Sequence, residues 1–351
     1  MLEFTSERLF FLKLFNPFGV EKEGSDFFMK DDQFIKAFID NYNRIFNYTG
    51  GQDLQLMLSL ASKYTLAKRQ FSGVALEKVL ERIRNKGKNS LPVQLELRTG
   101  YKLAYHLLWH EDMEKEVQNI IVKDGMLNQA RFKKSAHRII GALFLQQNQL
   151  EHAQRAKRLF DEMNRNQRIL TSKEDIPYAV FLTTDSNEQP KKQADTILKY
   201  YNDLRSNHFT MGNHLQALAQ IMTVYSSDYN KLLLQYVVKL REELLERGVK
   251  VRKLHYPYLG VLALAATEES KMDEISSLYH HLIKEKIFNN GKDYALIVAI
   301  QKIVKDALEV QNLIDITSLT NIIELFDLVE FVLDIGPVFP SGISEVIDFF
   351  N

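Results

Sequence analysis

The 351-residue sequence contains no cysteine. This absence excludes disulfide bonds, thiolate zinc sites, iron–sulfur clusters and cysteine nucleophiles from the chemistry of the protein. It also agrees with a reducing compartment, in which disulfides do not form. We therefore expect a cytoplasmic location.

Glycine and proline are scarce as well, with 15 and 7 residues. Tight turns depend on both residue types, so helices are favoured over a sheet of many short strands. No apolar run approaches the roughly 18 residues that a membrane-spanning helix needs. The apolar stretch at residues 9–20 is interrupted by Lys13 and is not followed by a cleavage site of small residues, which argues against a secretory signal.

The sequence has no excess of either charge, because 45 Lys and Arg residues balance 45 Asp and Glu residues. A protein whose main task is to bind duplex nucleic acid usually carries a net positive charge, and this one does not. Hydrophobic residues make up 45% of the chain and charged residues 26%, which is the composition of a globular protein with a full core.

Motifs for phosphate binding and for common catalytic mechanisms are missing. The nearest approach to a phosphate-binding loop has Arg82 in place of its first glycine and Asn89 in place of Ser or Thr. The segment at 342–346 lacks the last glycine of a G-x-S-x-G nucleophile elbow, and no glycine-rich dinucleotide fingerprint is present. We therefore predict no enzymatic activity, no catalytic residues and no cofactor.

What the sequence does contain is a repeat of amphipathic helices, each followed by a more apolar helix. The amphipathic helices are predicted to end 38 to 41 residues apart, at Gly87, Gly125, Asn166, Asn207, Gly248 and Lys286. Such a period is typical of stacked helical hairpins, none of which buries its apolar face alone. We therefore predict an all-α fold, a TPR-like α-solenoid superhelix of antiparallel helical hairpins with a period of about 40 residues.

Two of the apolar helices begin with the same pair of residues. Pro177-Tyr178 and Pro257-Tyr258 stand at equivalent places two repeats apart. Proline is tolerated in the first turn of a helix, where the backbone N–H groups have no partner within the helix. The match predicts a shared packing arrangement rather than two active-site loops.

The N-terminal segment departs from the repeat, which we place at residues 29–310. Residues 1–28 hold seven phenylalanines. They form either an amphipathic cap for the array or an upstream extension that is not native, with the natural start at Met29. A regular helix that begins directly after Met29 favours the extension.

The C-terminal segment, residues 311–351, contains no Lys or Arg. Its acids at positions 324, 327, 330 and 334 form one stripe on an otherwise apolar helix. We predict an acidic C-terminal capping helix and tail whose outer face is polar. A docking helix for a basic partner is the alternative.

Two histidines are the candidate metal ligands. His106 and His110 are four residues apart and share one face of a predicted helix, with several acids close behind them. A closed site needs three or four ligands, and the histidines supply only two. The alternative is a structural role for His106 beside the core, and we expect no bound metal.

Nine basic residues and only three acidic ones lie between residues 131 and 168. The segment spans neighbouring hairpins, so its charges can gather on one edge of the superhelix. We predict a partner-binding site formed by seven cations: Arg131, Lys133, Lys134, Arg138, Arg155, Lys157 and Arg158. An acidic or phosphorylated protein segment fits this site, RNA is a second ligand class, and an ordinary solvated surface is the alternative.

Residues from about 34 to 310 resemble the DUF4003 family, a bacterial family of unknown function found mainly in Gram-positive bacteria. The resemblance rests on three stretches: FIDNYNRIF at 38–46, RLFDEMNRNQRILTSKEDIPYAVFLTT at 158–184 and FTMGNHLQALAQIM at 209–222. It implies an all-helical cytoplasmic protein. The resemblance brings no known activity and no catalytic residues.

Three hypotheses about function follow. The first is a non-enzymatic helical-repeat scaffold that binds a protein or peptide partner, by analogy at the level of the fold. The second is RNA or other nucleic-acid binding through the basic segment, which lacks the interleaved aromatic residues that stack on single-stranded bases. The third is a metal-dependent helical enzyme built on His106 and His110.

Overall fold

The computed structural model describes residues 29–90, 97–146, 150–184, 189–265, 269–311 and 316–333. Within these ranges the chain forms fifteen α-helices and no β-strand, so the predicted all-α class is confirmed. The predicted N-terminal extension and the tail after Leu333 lie outside the described residues. No helix in the described part of the chain is both long and apolar enough to cross a membrane.

Seven hairpins follow one another along the chain, each with an outer and an inner helix. The outer helices are α1 (Asp31–Thr49), α3 (Gly73–Ser90), α5 (Met113–Gln129), α7 (Leu150–Asn166), α9 (Pro190–Ser206), α11 (Lys231–Glu246) and α13 (Glu269–Leu282). The inner helices are α2 (Leu54–Leu66), α4 (Leu97–Leu107), α6 (Ala136–Phe144), α8 (Asp175–Leu182), α10 (Asn213–Ile221), α12 (Tyr256–Leu264) and α14 (Lys292–Gln311). A fifteenth helix, α15, spans Ile316–Leu333, and short 3-10 turns at Lys253–His255 and Lys286–Phe288 precede α12 and α14.

Successive outer helices end 36 to 41 residues apart, and the predicted spacing of helix ends is 38 to 41 residues. The predicted ends at Asn166, Asn207 and Gly248 lie within two residues of the observed ends of α7, α9 and α11. α13 ends earlier than predicted, and Lys286 lies in the 3-10 turn that follows it.

Two predicted helix ends are wrong, because α3 and α5 continue past Gly87 and Gly125. In α5 the buried stripe extends to Leu127. Burial of that face outweighs the roughly 1 kcal/mol that a glycine costs inside a helix. The chain turns instead at Arg131, whose φ of 69° is left-handed.

Side-chain caps fix where several helices begin. Asp53, Asp112 and Ser135 each accept a hydrogen bond from the backbone N–H three residues further on, at 3.0 to 3.1 Å. Asn230 accepts the equivalent bonds at the start of α11. Each bond satisfies a backbone donor that has no partner within its own helix.

The inner helices lie between the outer layer and the interior, and they are therefore more apolar than the outer helices. α12 is buried at every residue from Tyr256 to Ala263. Tyr178 and Tyr258, from the two Pro-Tyr pairs, are among the largest fully buried side chains. Both belong to the first turn of an inner helix, and the prolines that precede them are buried as well.

The hairpins close into a ring. Neighbouring hairpins pack side by side, and the last hairpin packs on the first through α14 and α2, at a junction that we call the seam. At the seam the ring of Phe288 stacks on Phe38 with 5.5 Å between centroids, and Lys302 pairs with Asp31 at 3.3 Å. An open superhelix keeps its ends apart, so the arrangement differs from the predicted α-solenoid by being closed.

α15 lies inside this ring, where it packs on α6, α8, α12 and α14. Its residues 328–332 are all buried, whereas Ile323, midway along the helix, is 46% exposed. Glu330 of the predicted acidic stripe is only 2% exposed. The helix therefore fills the interior, and it does not cover one end of the array with a polar outer face as predicted.

Candidate functional site

An acidic side chain lies at the centre of the ring. Glu330 of α15 accepts hydrogen bonds from the hydroxyls of Ser59 and Tyr294, the latter at 3.1 Å, and pairs with Lys63 at 2.8 Å. The three donors come from α2 and α14, the inner helices that meet at the seam. A carboxylate is costly to bury among apolar helices, and these donors compensate for the water that it loses.

Lys63 joins two acids of α15. Its Nζ atom is 2.6 Å from a carboxylate oxygen of Asp327 and 2.8 Å from one of Glu330. Burial by itself would lower the pKa of Lys63, but the charges of the two acids outweigh burial and raise this pKa above its usual value. Burial would likewise raise the pKa of Glu330, and the lysine charges hold it below its usual value. Both groups are therefore charged at neutral pH.

A second buried lysine has the opposite electrostatic balance. Lys102 of α4 donates to the backbone carbonyl of Glu330 at 3.0 Å and is 1% exposed. Burial, which the charge of Glu330 offsets only in part, lowers the pKa of Lys102 to about 7. An amine with this pKa gains and loses a proton near neutral pH, which is a property concentrated at functional sites.

A separate polar cluster is buried between α8 and α10. One carboxylate oxygen of Asp175 accepts hydrogen bonds from the side-chain amides of Gln216 and Gln220, at 3.0 and 2.6 Å. Burial raises the pKa of Asp175 to about 7, and the backbone N–H of Ser172 and the two amides limit the rise. The cluster is therefore titratable near neutral pH although none of its members lies at the surface.

The predicted basic site divides into buried and exposed residues. Arg138 is 3% exposed and makes a two-pronged ion pair with Asp124, at 2.7 and 2.9 Å. Arg155 is buried as well and donates to the backbone carbonyl of Thr183 at 3.3 Å. Both guanidinium groups hold neighbouring helices together and are not available to a partner. These two arginines therefore drop out of the predicted site.

The other five predicted cations remain at the surface, and we call them the basic edge: Arg131, Lys133, Lys134, Lys157 and Arg158. Three of them lie on the loop between α5 and α6, and two lie on α7. The half-buried Lys157 pairs with Asp161, and its Nζ atom is 5.9 Å from the centre of the Phe132 ring. Phe132 belongs to the loop, so this contact places the loop directly beside α7.

The predicted metal ligands do lie side by side, with the ring centroids of His106 and His110 5.2 Å apart. Burial lowers the pKa of His106, whose ring contacts Phe331 of α15. In the described ranges, however, no group of three or more His, Asp or Glu side chains is placed to hold a metal ion. The position of His106 fits the structural role beside the core.

Sequence reasoning did not single out Lys63, Lys102 and Glu330 as a group. Each lysine lies in an apolar inner helix: Lys63 in LQLMLSLASKYTL and Lys102 in LRTGYKLAYHL. Lysine is rarely buried unless it is paired, so a lysine in a helix that must be buried is itself a sign of a buried charge. The acidic stripe was recognised, but the sequence does not say which helices face it.

The chain matches the model of one protein family, described as a protein of unknown function (DUF4003), over residues 33–327. A relative from Bacillus subtilis (strain 168), named Uncharacterized protein YeaA, is 21% identical over 277 residues, which are 77% of this chain and 82% of that protein. No solved structure matches the chain. The family match runs from α1 into α15 and covers well over half of the chain, which therefore belongs to the DUF4003 family.

Proposed function

We propose that the protein is a non-enzymatic helical-repeat protein that binds an acidic segment of a protein partner on its basic edge. One observation carries the proposal. Except for Lys157, the side chains of the basic edge make no ion pair or hydrogen bond with any described residue. Arg44 and Lys271, by contrast, are paired with carboxylates of their own helices. Lys36 and Lys78 are exposed without such a pair among the described residues, but no basic residue stands beside either of them in the sequence.

Aromatic packing holds the basic edge in place. Phe132 is 3% exposed, and its ring lies 5.6 Å from that of Phe160 on α7. The cations on either side of Phe132 are therefore attached to a backbone that the core fixes. Pre-positioned charges lose less conformational entropy on binding, which favours a specific ligand over diffuse attraction.

The loop that follows α7 contributes a further cation and an exposed apolar side chain. Burial, together with the nearby charge of Lys173 in this loop, lowers the pKa of His137 at the start of α6 to about 4. Lys173 therefore lies near the beginning of α6, which directly follows the loop that carries Arg131, Lys133 and Lys134. Ile169, next to Arg168 in the chain, is 98% exposed and offers a partner an apolar contact.

These features support a ligand that combines carboxylates or a phosphate with an apolar side chain. Arginine and lysine on a fixed surface attract such a segment from a distance and orient it on contact. The proposal keeps the expectation of a cytoplasmic protein, which the absence of cysteine from the sequence favours.

Reversal of charge on the basic edge tests the proposal. We expect Lys133→Glu combined with Lys134→Glu to remove a protein that the unchanged chain captures from an extract of its native host. The matched control is Lys36→Glu combined with Lys78→Glu, which changes two exposed lysines on α1 and α3 by the same total charge. Thermal unfolding of all three chains checks that the fold is retained.

The outcomes separate the hypotheses. The proposal is supported if a captured protein remains bound after nuclease treatment, is still captured by the Lys36→Glu, Lys78→Glu variant, and is not captured by the Lys133→Glu, Lys134→Glu variant. Equal capture by the two variants contradicts the proposal. A complex that nuclease destroys, and that weakens steeply with salt, would assign the basic edge to RNA instead.

A further inference from the structure

We propose that the interior of the ring is a binding site for an acidic, otherwise apolar helix. In the structure α15 occupies this site as an internal ligand, and a helix of the same chemistry from a partner protein replaces it. The inference concerns other residues than the basic edge and does not depend on it.

Direct contacts close the seam in addition to the hydrogen bonds that Ser59 and Tyr294 both donate to Glu330 of α15. These direct contacts include Phe38 with Phe288 at 5.5 Å, Asp31 with Lys302 at 3.3 Å, Ser62 with Gln301 at 2.7 Å and Lys68 with Glu309 at 3.3 Å. None of them involves a residue of α15. Withdrawal of α15 would therefore leave the seam contacts in place.

α15 is held by a specific pattern of charge. Lys63 reaches both Asp327 and Glu330, which are three residues apart on one face of the helix. A buried ion pair adds little net stability compared with apolar residues of the same volume, because both groups lose their water. Breaking such a pair is costly, however. The interior thus discriminates between helices: it accepts one with two carboxylates at this spacing and rejects one without them.

The rest of α15 defines what else the ligand needs. Leu328, Val329 and Phe331 are buried against the ring, so the helix must be apolar on the sides that do not carry the acids. Ile323 and Glu324, midway along α15, are exposed, although Ile322 and Leu325 beside them are buried. One face of α15 therefore reaches the surface midway along the helix, and its release and its exchange for another helix can begin there.

The lack of native cysteine gives a direct test of exchange. Val329→Cys places a single thiol on α15, and Val237→Cys places one on α11 in the outer layer. Both valines are 0% exposed and lose the same atoms. We expect a small thiol reagent to label the Val329→Cys chain at least about tenfold faster under native conditions, because α15 leaves the ring without global unfolding.

A synthetic peptide with the sequence of residues 316–333 then tests recognition. Added to the Val329→Cys chain, it should hold the ring in the α15-released state and raise the labelling rate to a plateau. A control peptide with Asp327→Asn and Glu330→Gln should have no such effect. Neither peptide should change labelling of the Val237→Cys chain.

Two results would overturn the inference. Equal labelling of the two thiols, with the same dependence on urea, would show that α15 opens only when the whole protein unfolds. The second result is fast labelling of Val329→Cys that both peptides increase equally, or that neither peptide increases. It would show that the interior does not select an acidic helix. Should Val329→Cys fail to fold, hydrogen exchange of the α15 amides in the unchanged chain, with each peptide, gives the same two readouts.

Discussion

Charged side chains in the core differ in whether a counter-charge accompanies them. Lys63 faces Asp327 and Glu330 and stays charged. Asp175 accepts hydrogen bonds from neutral donors, the amides of Gln216 and Gln220 and the backbone N–H of Ser172, and these offset the effect of burial only in part. A buried acid without a counter-charge makes the stability of a protein depend on pH.

We expect Asp175→Asn to alter the pH dependence of the free energy of unfolding. Burial raises the pKa of Asp175 from its usual 3.8 to about 7, so the folded protein binds this proton more tightly than the unfolded chain. The resulting stability is complete below the unfolded pKa and is lost as pH rises towards the folded one, by at most about 1.4 kcal/mol per pH unit. Asparagine has no proton to lose. The stability of the variant relative to the unchanged chain should therefore rise with pH across this window.

Urea unfolding at several pH values between about 5 and about 8 measures this difference. Asp195→Asn, at an exposed position on α9, serves as the control and should follow the unchanged chain. A constant offset for Asp175→Asn at every pH would show that Asp175 is ionised throughout.

Close packing between inner helices depends on residues without a side chain. A Cβ atom on Gly260 of α12 would be 2.8 Å from Ile221 and 2.9 Å from Leu218, both of which belong to α10. A Cβ atom on Gly100 of α4 would meet only Leu80, at an ordinary 3.7 Å. Gly260 is therefore required for the close approach of α12 to α10, whereas Gly100 leaves room for a larger residue.

We expect opposite effects when each glycine is replaced by alanine. Gly260→Ala forces α12 away from α10 and should lower the free energy of unfolding by about 1–3 kcal/mol. Gly100→Ala gains the helix propensity of alanine without a clash and should raise the free energy of unfolding by up to about 1 kcal/mol. Denaturant unfolding of the two variants measures both changes. A stabilising Gly260→Ala would mean that the two helices are further apart than described.

Closure of the ring removes the weak ends that an open array of hairpins has. In an open array a terminal hairpin loses one neighbour and can fray without the rest. Here α1 and α2 have α13 and α14 as their second neighbour, although some 250 residues of chain separate Phe38 from Phe288. The entropy cost of joining such distant segments grows only slowly with length, so contacts at the seam can outweigh it.

The seam can be tested with two matched truncations. Phe288 at the seam is 0% exposed, and Phe209, far from the seam between α9 and α10, is 4% exposed. We expect Phe288→Ala and Phe209→Ala to lower the free energy of unfolding by similar amounts, about 3–5 kcal/mol each. Unfolding should remain a single transition for both variants, as followed by circular dichroism in urea. A small effect at Phe288 alone, or a separate early transition, would indicate an open seam.

The sequence by itself determined the helical class and most of the helices. Local signals carry that information, because apolar spacing and capping residues act within one or two turns of a helix. The same signals are wrong at Gly125: the glycine predicts a helix end, but burial of the stripe that reaches Leu127 continues the helix. They also located the basic edge, since charge at the surface needs no partner to be recognised.

Only the tertiary structure decided which charges are buried and how the array ends. Arg138 and Lys133 look alike in the sequence, and it is the position of Asp124 on the neighbouring helix that takes one of them out of the solvent. In the same way, the meeting of Lys63 with Glu330 depends on ring closure and on the entry of α15. Contacts between residues hundreds of positions apart leave no local pattern, because they arise from the summed packing of all seven hairpins.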